Sequence, residues 1–264
     1  MDSKIKIKAI DVGKEFEATE FTPAVRAIEK IDLEIYEGEF GALIGPSGCG
    51  KSTFLYMVGG FERPTRGKIL LDGELVTKPS PNRGIVFQEY ILFPWRTVED
   101  NICFGLEIQS IPKEKRKEKF EYLLDLIGLR GFERSYPHTL SGGMQQRVAI
   151  GRALAYEPEV LLMDEPFGAL DAQTKRRMVN DFVRIWETTK KTVLFVTHSV
   201  QEALALADRV FLFSARPAVI KEVIEVKIPR PRDITSPEYA EKEKYLLESL
   251  DVEVEKMMKQ TKSL

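Results

Sequence analysis

Phe40-Gly-Ala-Leu-Ile44 runs directly into Gly45-Pro-Ser-Gly-Cys-Gly-Lys51-Ser52-Thr53. The first five residues are a short apolar run, which reads as a buried strand. The nine that follow fit the phosphate-loop pattern of glycine, four residues, glycine, lysine, then serine or threonine. Each residue type has a chemical reason. Glycines let successive backbone N–H groups turn inward around an anion, and the helix that follows adds its positive end. Lys51 reaches terminal phosphates as a point charge, and the Ser52 hydroxyl suits a magnesium ion bridging them. Gly45, Pro46, Ser47, Gly48, Cys49, Gly50, Lys51, Ser52 and Thr53 are therefore the expected phosphate-binding residues. Cys49 has no adjacent histidine base and is read as a spacer, although a helix N-terminus lowers thiol pKa.

Working outward, residues 4–8 (KIKIK) and 31–35 (IDLEI) alternate with period two and predict strands, and Asp72-Gly73 between apolar segments predicts a hairpin over 67–76. From 89 to 140 the character turns helical: Phe120, Leu123, Leu124 and Ile127 recur at helical spacing before Gly128, a C-cap signal, and the Lys/Glu run at 113–119 reads as a solvated face. Three short apolar strands follow at 160–163, 192–196 and 210–213, separated by helical patterns, which argues for a mainly parallel sheet with helices on both faces. Leu246, Leu250, Val254 and Met257 predict an amphipathic tail helix suited to docking on its own domain, the favoured reading, or on a partner. The expected division is a phosphate-loop domain over 1–230, with a helical subdomain at about 89–145, and a helical tail over 231–264.

Composition closes off other classes. At 43% hydrophobic and 30% charged, the 264 residues hold enough apolar material for a globular core. Lysine and arginine number 39 against 41 acids, so no global positive field attracts nucleic acid or an anionic membrane. The apolar runs are far shorter than the ~20 residues of a bilayer span, and the N-terminus lacks a secretory pattern, so a cytosolic protein is expected. Two cysteines and two histidines show no metal-ligand spacing, and reduced thiols are expected.

A phosphate loop alone leaves kinases, GTPases and many ATPases open. Residues 160–165 (VLLMDE) place two carboxylates at the end of an apolar strand. Asp164 suits magnesium through water, and Glu165 suits orienting an attacking water. Ser141, ahead of Gly142 and Gly143 and a helix beginning near Met144, makes a second anion site from a hydroxyl and a helix N-terminus.

Leu140-Ser-Gly-Gly-Met-Gln-Gln-Arg147, taken with these motifs, resembles the signature of the ATP-binding-cassette (ABC) ATPases. The motifs span residues 16–198. The resemblance implies an α/β phosphate-loop NTPase fold, RecA-like, with an antiparallel β subdomain and a helical subdomain. It makes Gln88 the lid glutamine, counted with both the catalytic groups and the magnesium ligands. Gly168-Ala-Leu-Asp171 becomes the loop after the acidic pair, His198 the switch histidine, and Phe16 the adenine-stacking aromatic, with Phe21 as the alternative. ATP and Mg2+ are the implied cofactors. The fifth signature position is Met144 where glutamine is commoner, and Gly168 stands where serine is commoner; both variants occur in importer ATPases of the family.

In the family, the phosphate loop of one subunit and the signature of another clamp one ATP head to tail, so a homodimer is implied. Leu92-Phe-Pro-Trp-Arg-Thr-Val-Glu-Asp-Asn101, with Ser214-Ala-Arg-Pro217 leading to Pro229-Arg-Pro231, looks like importers of the nitrate, sulfonate and taurine type. There the ATPase sits on the cytoplasmic face of a membrane permease served by an extracytoplasmic solute-binding protein, and Trp95 is the expected interface anchor. An exporter ATPase is the alternative; a soluble cassette protein is less well supported, since the chain has no tandem cassette, coiled-coil insertion or basic stripe.

Overall fold

The computed structural model describes residues 4–20 and 23–262. Along the chain, β1 (Ile5–Phe16), β2 (Val25–Tyr36) and β3 (Phe40–Ile44) precede α1 (Lys51–Gly59), β4 (Arg66–Leu71), β5 (Glu74–Leu75) and β6 (Arg83–Val86). Next come α2 (Val98–Ile108), α3 (Lys113–Leu126), α4 (Gly142–Ala155), β7 (Val160–Asp164) and α5 (Ala172–Thr189). Last are β8 (Thr192–Val196), α6 (Val200–Leu206), β9 (Arg209–Phe213), β10 (Ala218–Glu225) and α7 (Pro237–Lys262). Two compact units result: Met1–Ser80 with Thr192–Leu264, and Pro81–Lys191.

In the first unit the strands lie in the order β5-β4-β1-β2-β10-β9-β3-β8. One half is antiparallel, with β1 paired to both β2 and β4. The other half is parallel around β3, which pairs with β8 and β9. All five residues of β3 and of β8 are buried, which is why both read as continuous apolar runs. β10 joins the halves, parallel to β2 and antiparallel to β9. Phe40 and Phe195 meet edge to face at 5.8 Å, Phe54 and Phe213 at 6.1 Å, and all four rings are fully buried. Each is worth about 1.5–3 kcal/mol of burial.

The strand predicted at 4–8 extends to Phe16, because shifts in pairing register after Ala9 and Val12, with Asp11 at φ 49°, interrupt the alternation without ending the strand. The tail helix docks on its own unit. Tyr239 and Leu246 are buried, Gln201 on α6 donates to Glu243 at 2.9 Å, and the Glu253 carboxylate accepts from the Ala215 N–H at 2.9 Å and pairs with Lys256 at 2.6 Å. Burial pushes the Glu253 pKa up, but those two partners outweigh it and hold it below the usual glutamate value.

The second unit packs four helices with the parallel pair β6 and β7, in register from Arg83↔Val160 to Val86↔Met163. Phe120, Leu123 and Leu124 of α3 are buried as their spacing predicts, while residues 113–118 are largely exposed. The helix stops where Gly128 takes φ 65°: the Gly128 and Leu129 N–H groups return to the Asp125 and Leu124 carbonyls, both at 3.1 Å. A Cβ on Gly151 of α4 would stand 3.0 Å from Ile127 Cδ1, so glycine sets how closely that helix is approached. Among the described residues no helix is long and apolar enough to cross a membrane.

Candidate nucleotide site

The predicted site residues fall on both units. In the first, β3 ends at Ile44 and the phosphate loop leads into α1. Gly45 has no room for a side chain: a Cβ there would stand 2.9 Å from Phe213 Cβ and 3.0 Å from its carbonyl oxygen. Gly50, the N-cap of α1, has φ 114°, and Gly48 has φ 75°, both backbone states that side chains resist. Lys51 is buried, and its Nζ donates to the Gly45 and Pro46 carbonyls at 2.8 and 2.9 Å. The cation is thus aimed along its own loop. Ser47 and Gly48 are exposed; Ser52 and Thr53 are half-buried. Burial pushes the Cys49 thiol up despite the opposing Lys51 charge, which agrees with a spacer and not a nucleophile.

Parallel to β3, β8 ends beside it, where the Thr197 N–H reaches the Leu43 carbonyl at 3.2 Å. The exposed His198 follows, on a turn tied by Thr197 Oγ1 to Glu202 at 2.6 Å and by the Ser199 N–H to Thr197 Oγ1 at 3.0 Å. The phosphate loop and His198 thus leave the carboxyl ends of neighbouring parallel strands, where α/β sheets bind ligands. Phe16 ends β1, 39% exposed, with Lys14 Nζ 4.7 Å from its ring centroid. Phe21 lies outside the described residues.

In the second unit Asp164 is buried at the end of β7, and Glu165 follows at φ 43°, a left-handed conformation that costs a non-glycine residue about 1–3 kcal/mol. Gln88 leaves the same end of the pair from β6. The two converge on Gly168: a Cβ there would stand 3.7 Å from Gln88 Nε2 and 3.8 Å from Glu165 Oε2. Glycine in place of serine leaves that convergence open. Asp171 caps α5, accepting from the Gln173 and Thr174 amides at 3.1 Å, and its bonds to Thr174 foremost hold its carboxyl below the usual range.

Ser141 caps α4, accepting from the Met144 N–H at 3.4 Å, so the helix starts at Gly142, two residues before the predicted start at Met144. Gly143 abuts α5, where a Cβ would stand 2.9 Å from Thr174 Cγ2; Gly142 abuts the Tyr90 hydroxyl at the same distance.

Three residues of this unit escape sequence reasoning. Tyr90 is one. The others are Asn101, whose buried amide donates to the Phe93, Arg96 and Thr97 carbonyls and accepts from the Phe93 N–H at 2.9 Å, and Arg152, which donates to the Ile91 and Tyr90 carbonyls at 2.7 and 3.2 Å. An asparagine just before the apolar Ile102-Cys-Phe104 and an arginine within the apolar run of α4 were the available signal, since polar groups turned inward need partners. They fix a corner on which Phe93 packs 4.5 Å from Phe104, while Trp95 stays 72% exposed.

Anion-binding loop, strand-end carboxylates and capped glycine turn together define a phosphate-loop nucleoside triphosphatase. The chain belongs to the ABC transporter family, whose model matches residues 28–168. It is 52% identical over 256 residues, 97% of this chain and 95% of the other, to an uncharacterised ABC transporter ATP-binding protein of Methanocaldococcus jannaschii. It is 46% identical to an aliphatic sulfonates import ATP-binding protein of Bacillus cereus, covering 87% of this chain and 90% of that one. It is 48% identical to a nitrate import ATP-binding protein of Synechocystis, covering 78% and 77%. Among solved structures it is similar to a dimeric post-hydrolysis state of an ATP-binding cassette bound to ADP and phosphate, with TM-score 0.72, 30% identity, and coverage of 84% of this chain and 99% of that one.

Proposed function

We propose that the chain is the ATP-hydrolysing subunit of an importer for a small solute of the nitrate, sulfonate or taurine kind, acting on a separate membrane permease. The observation that carries this reading is the Ser141-capped signature helix on a chain whose other unit bears the phosphate loop. Each chain then holds two half-sites, and two chains complete two ATP sites. The import ATP-binding proteins of similar sequence favour import over export.

In this reading Gly45–Thr53 cradle the triphosphate, with Lys51 exchanging its carbonyl partners for phosphate oxygens, and Phe16 stacks on the adenine. Glu165 orients the attacking water, His198 donates to the terminal phosphate, and Ser141, Gly142 and Gly143 present the partner's anion site. Ser52, Gln88 and Asp164 offer hydroxyl, amide and carboxylate oxygens, a donor set that suits Mg2+. When bound, Mg2+ neutralises charge on the phosphates. Hydrolysis splits the bridging triphosphate, and departure of the freed phosphate removes its charge so that the pair opens, moving a permease docked at the Trp95 corner. The subunit would lie on the cytoplasmic face of the membrane, and a solute-binding protein would serve the permease outside.

The test is sedimentation of purified Glu165→Gln chain with and without ATP. A nucleotide-dependent doubling of mass is expected; a monomer at saturating ATP overturns the reading.

A further inference from the structure

The exposed corner is tied to the signature helix by one half-buried guanidinium. Arg152, in the third turn of α4, gives Nη1 to the Ile91 carbonyl at 2.7 Å and Nη2 to the Tyr90 carbonyl at 3.2 Å, and lies 5.7 Å from the Phe93 ring centroid. No carboxylate pairs with it among the described residues, and burial pushes its pKa below the usual arginine value. A half-buried cation without a counter-ion loses part of its hydration, which its two main-chain partners replace. They sit on a strained turn: Ile91, β-branched, has φ 44°, a conformation such residues almost never adopt. The same turn touches the start of α4, where the Tyr90 hydroxyl lies 2.9 Å from the place of a Gly142 Cβ. Ile91 and Trp95 meanwhile face outward, 54% and 72% exposed.

We propose that Arg152 is a positioning residue: by holding the strained Tyr90–Ile91 turn against α4, it makes the Ile91–Trp95 corner and the Ser141–Gly143 signature one rigid lever. Force on the corner then reaches the anion site, and closure of that site reaches the corner. Lysine is a poor replacement, because the fork holds its two donors on separate nitrogens in fixed directions, one to each carbonyl, whereas an ammonium on a flexible stem must reach both from a single atom. This rests on the corner being the permease contact, and the experiment keeps the two ideas apart.

In the isolated full chain, amide exchange in Arg152→Lys should run at least about tenfold faster than wild type at Phe93 and Arg96, with the amides of α4 unchanged. Adding Ile91→Gly should restore slow exchange, because glycine adopts positive φ without strain. Unchanged exchange in the single variant, or no restoration in the double, overturns the proposal. In vesicles with the permease, Arg152→Lys should lower solute transported per ATP about fivefold or more while the KM for ATP stays within about twofold. Normal coupling in that variant beside an uncoupled Trp95→Ala overturns the lever alone. Normal coupling in Trp95→Ala removes the docking surface, and the lever with it.

Discussion

Two loops leave the carboxyl ends of parallel strands, one after β3 and one after β6, and they are built by opposite means. The phosphate loop is shaped by absence: glycines at 45, 48 and 50 clear room for backbone, and the charged side chain is turned inward and buried. The corner at 90–97 is shaped by filling: Asn101 and Arg152 occupy its carbonyls from within and push aromatic and apolar side chains out. A loop that must wrap a small anion needs free N–H groups and open space. A loop that must meet a protein needs a rigid apolar face and no unsatisfied carbonyls behind it.

The contrast is tested first on the chemistry. Glu165→Gln should slow ATP hydrolysis by about a thousandfold, the middle of the range for a lost general base, in a steady-state phosphate-release assay. Lys51→Ala should weaken ATP binding about a hundredfold by calorimetry, as expected for losing a charged partner of the phosphates; the corner should not feel that change. Trp95→Ala should leave the isolated subunit's ATPase within about twofold yet weaken its complex with the permease about thirtyfold, the loss of one interface anchor. Asn101→Ala should cost about 1–3 kcal/mol of stability in urea unfolding by stripping a buried set of carbonyls of their donor, with nucleotide affinity unchanged. That would set the corner apart as scaffold.

The smallest effect is a pH dependence. Burial, foremost, with Glu99 and Glu107 nearby, lifts the Cys103 thiol from its ordinary value near 9 to about 11. The unfolded chain therefore releases that proton first, binds fewer protons than the folded one in this window, and stability falls as pH rises from about 9 to 11. The urea midpoint should drop over that range, and less so in Cys103→Ala.

How much could be read from sequence follows the same division. The bounds of β3 and β8 coincide with the apolar runs at 40–44 and 192–196, because burial on both faces removes polar interruptions. The phosphate loop, the strand-end carboxylates and the Ser141 turn are local motifs, and their backbone follows from residue type. β10 escaped, since only Ala218 is buried on a strand of alternating half-covered and exposed residues. α2 could have been bounded from Thr97 and Asp100, whose reciprocal bonds box its first turn, but no apolar period announced them. Arg152 lies 61 residues from Ile91 in the chain, and no local pattern encodes a contact of that span.

Both native thiols are buried, and burial foremost pushes each up from its ordinary value, which disfavours the reactive thiolate. Maleimide chemistry at neutral pH thus meets a silent background. Trp95→Cys or Ser141→Cys would each carry the single dye-accepting group on the wild-type framework. Energy transfer between two differently coloured copies then reads out the proposed approach and parting of the chains in real time, turnover by turnover.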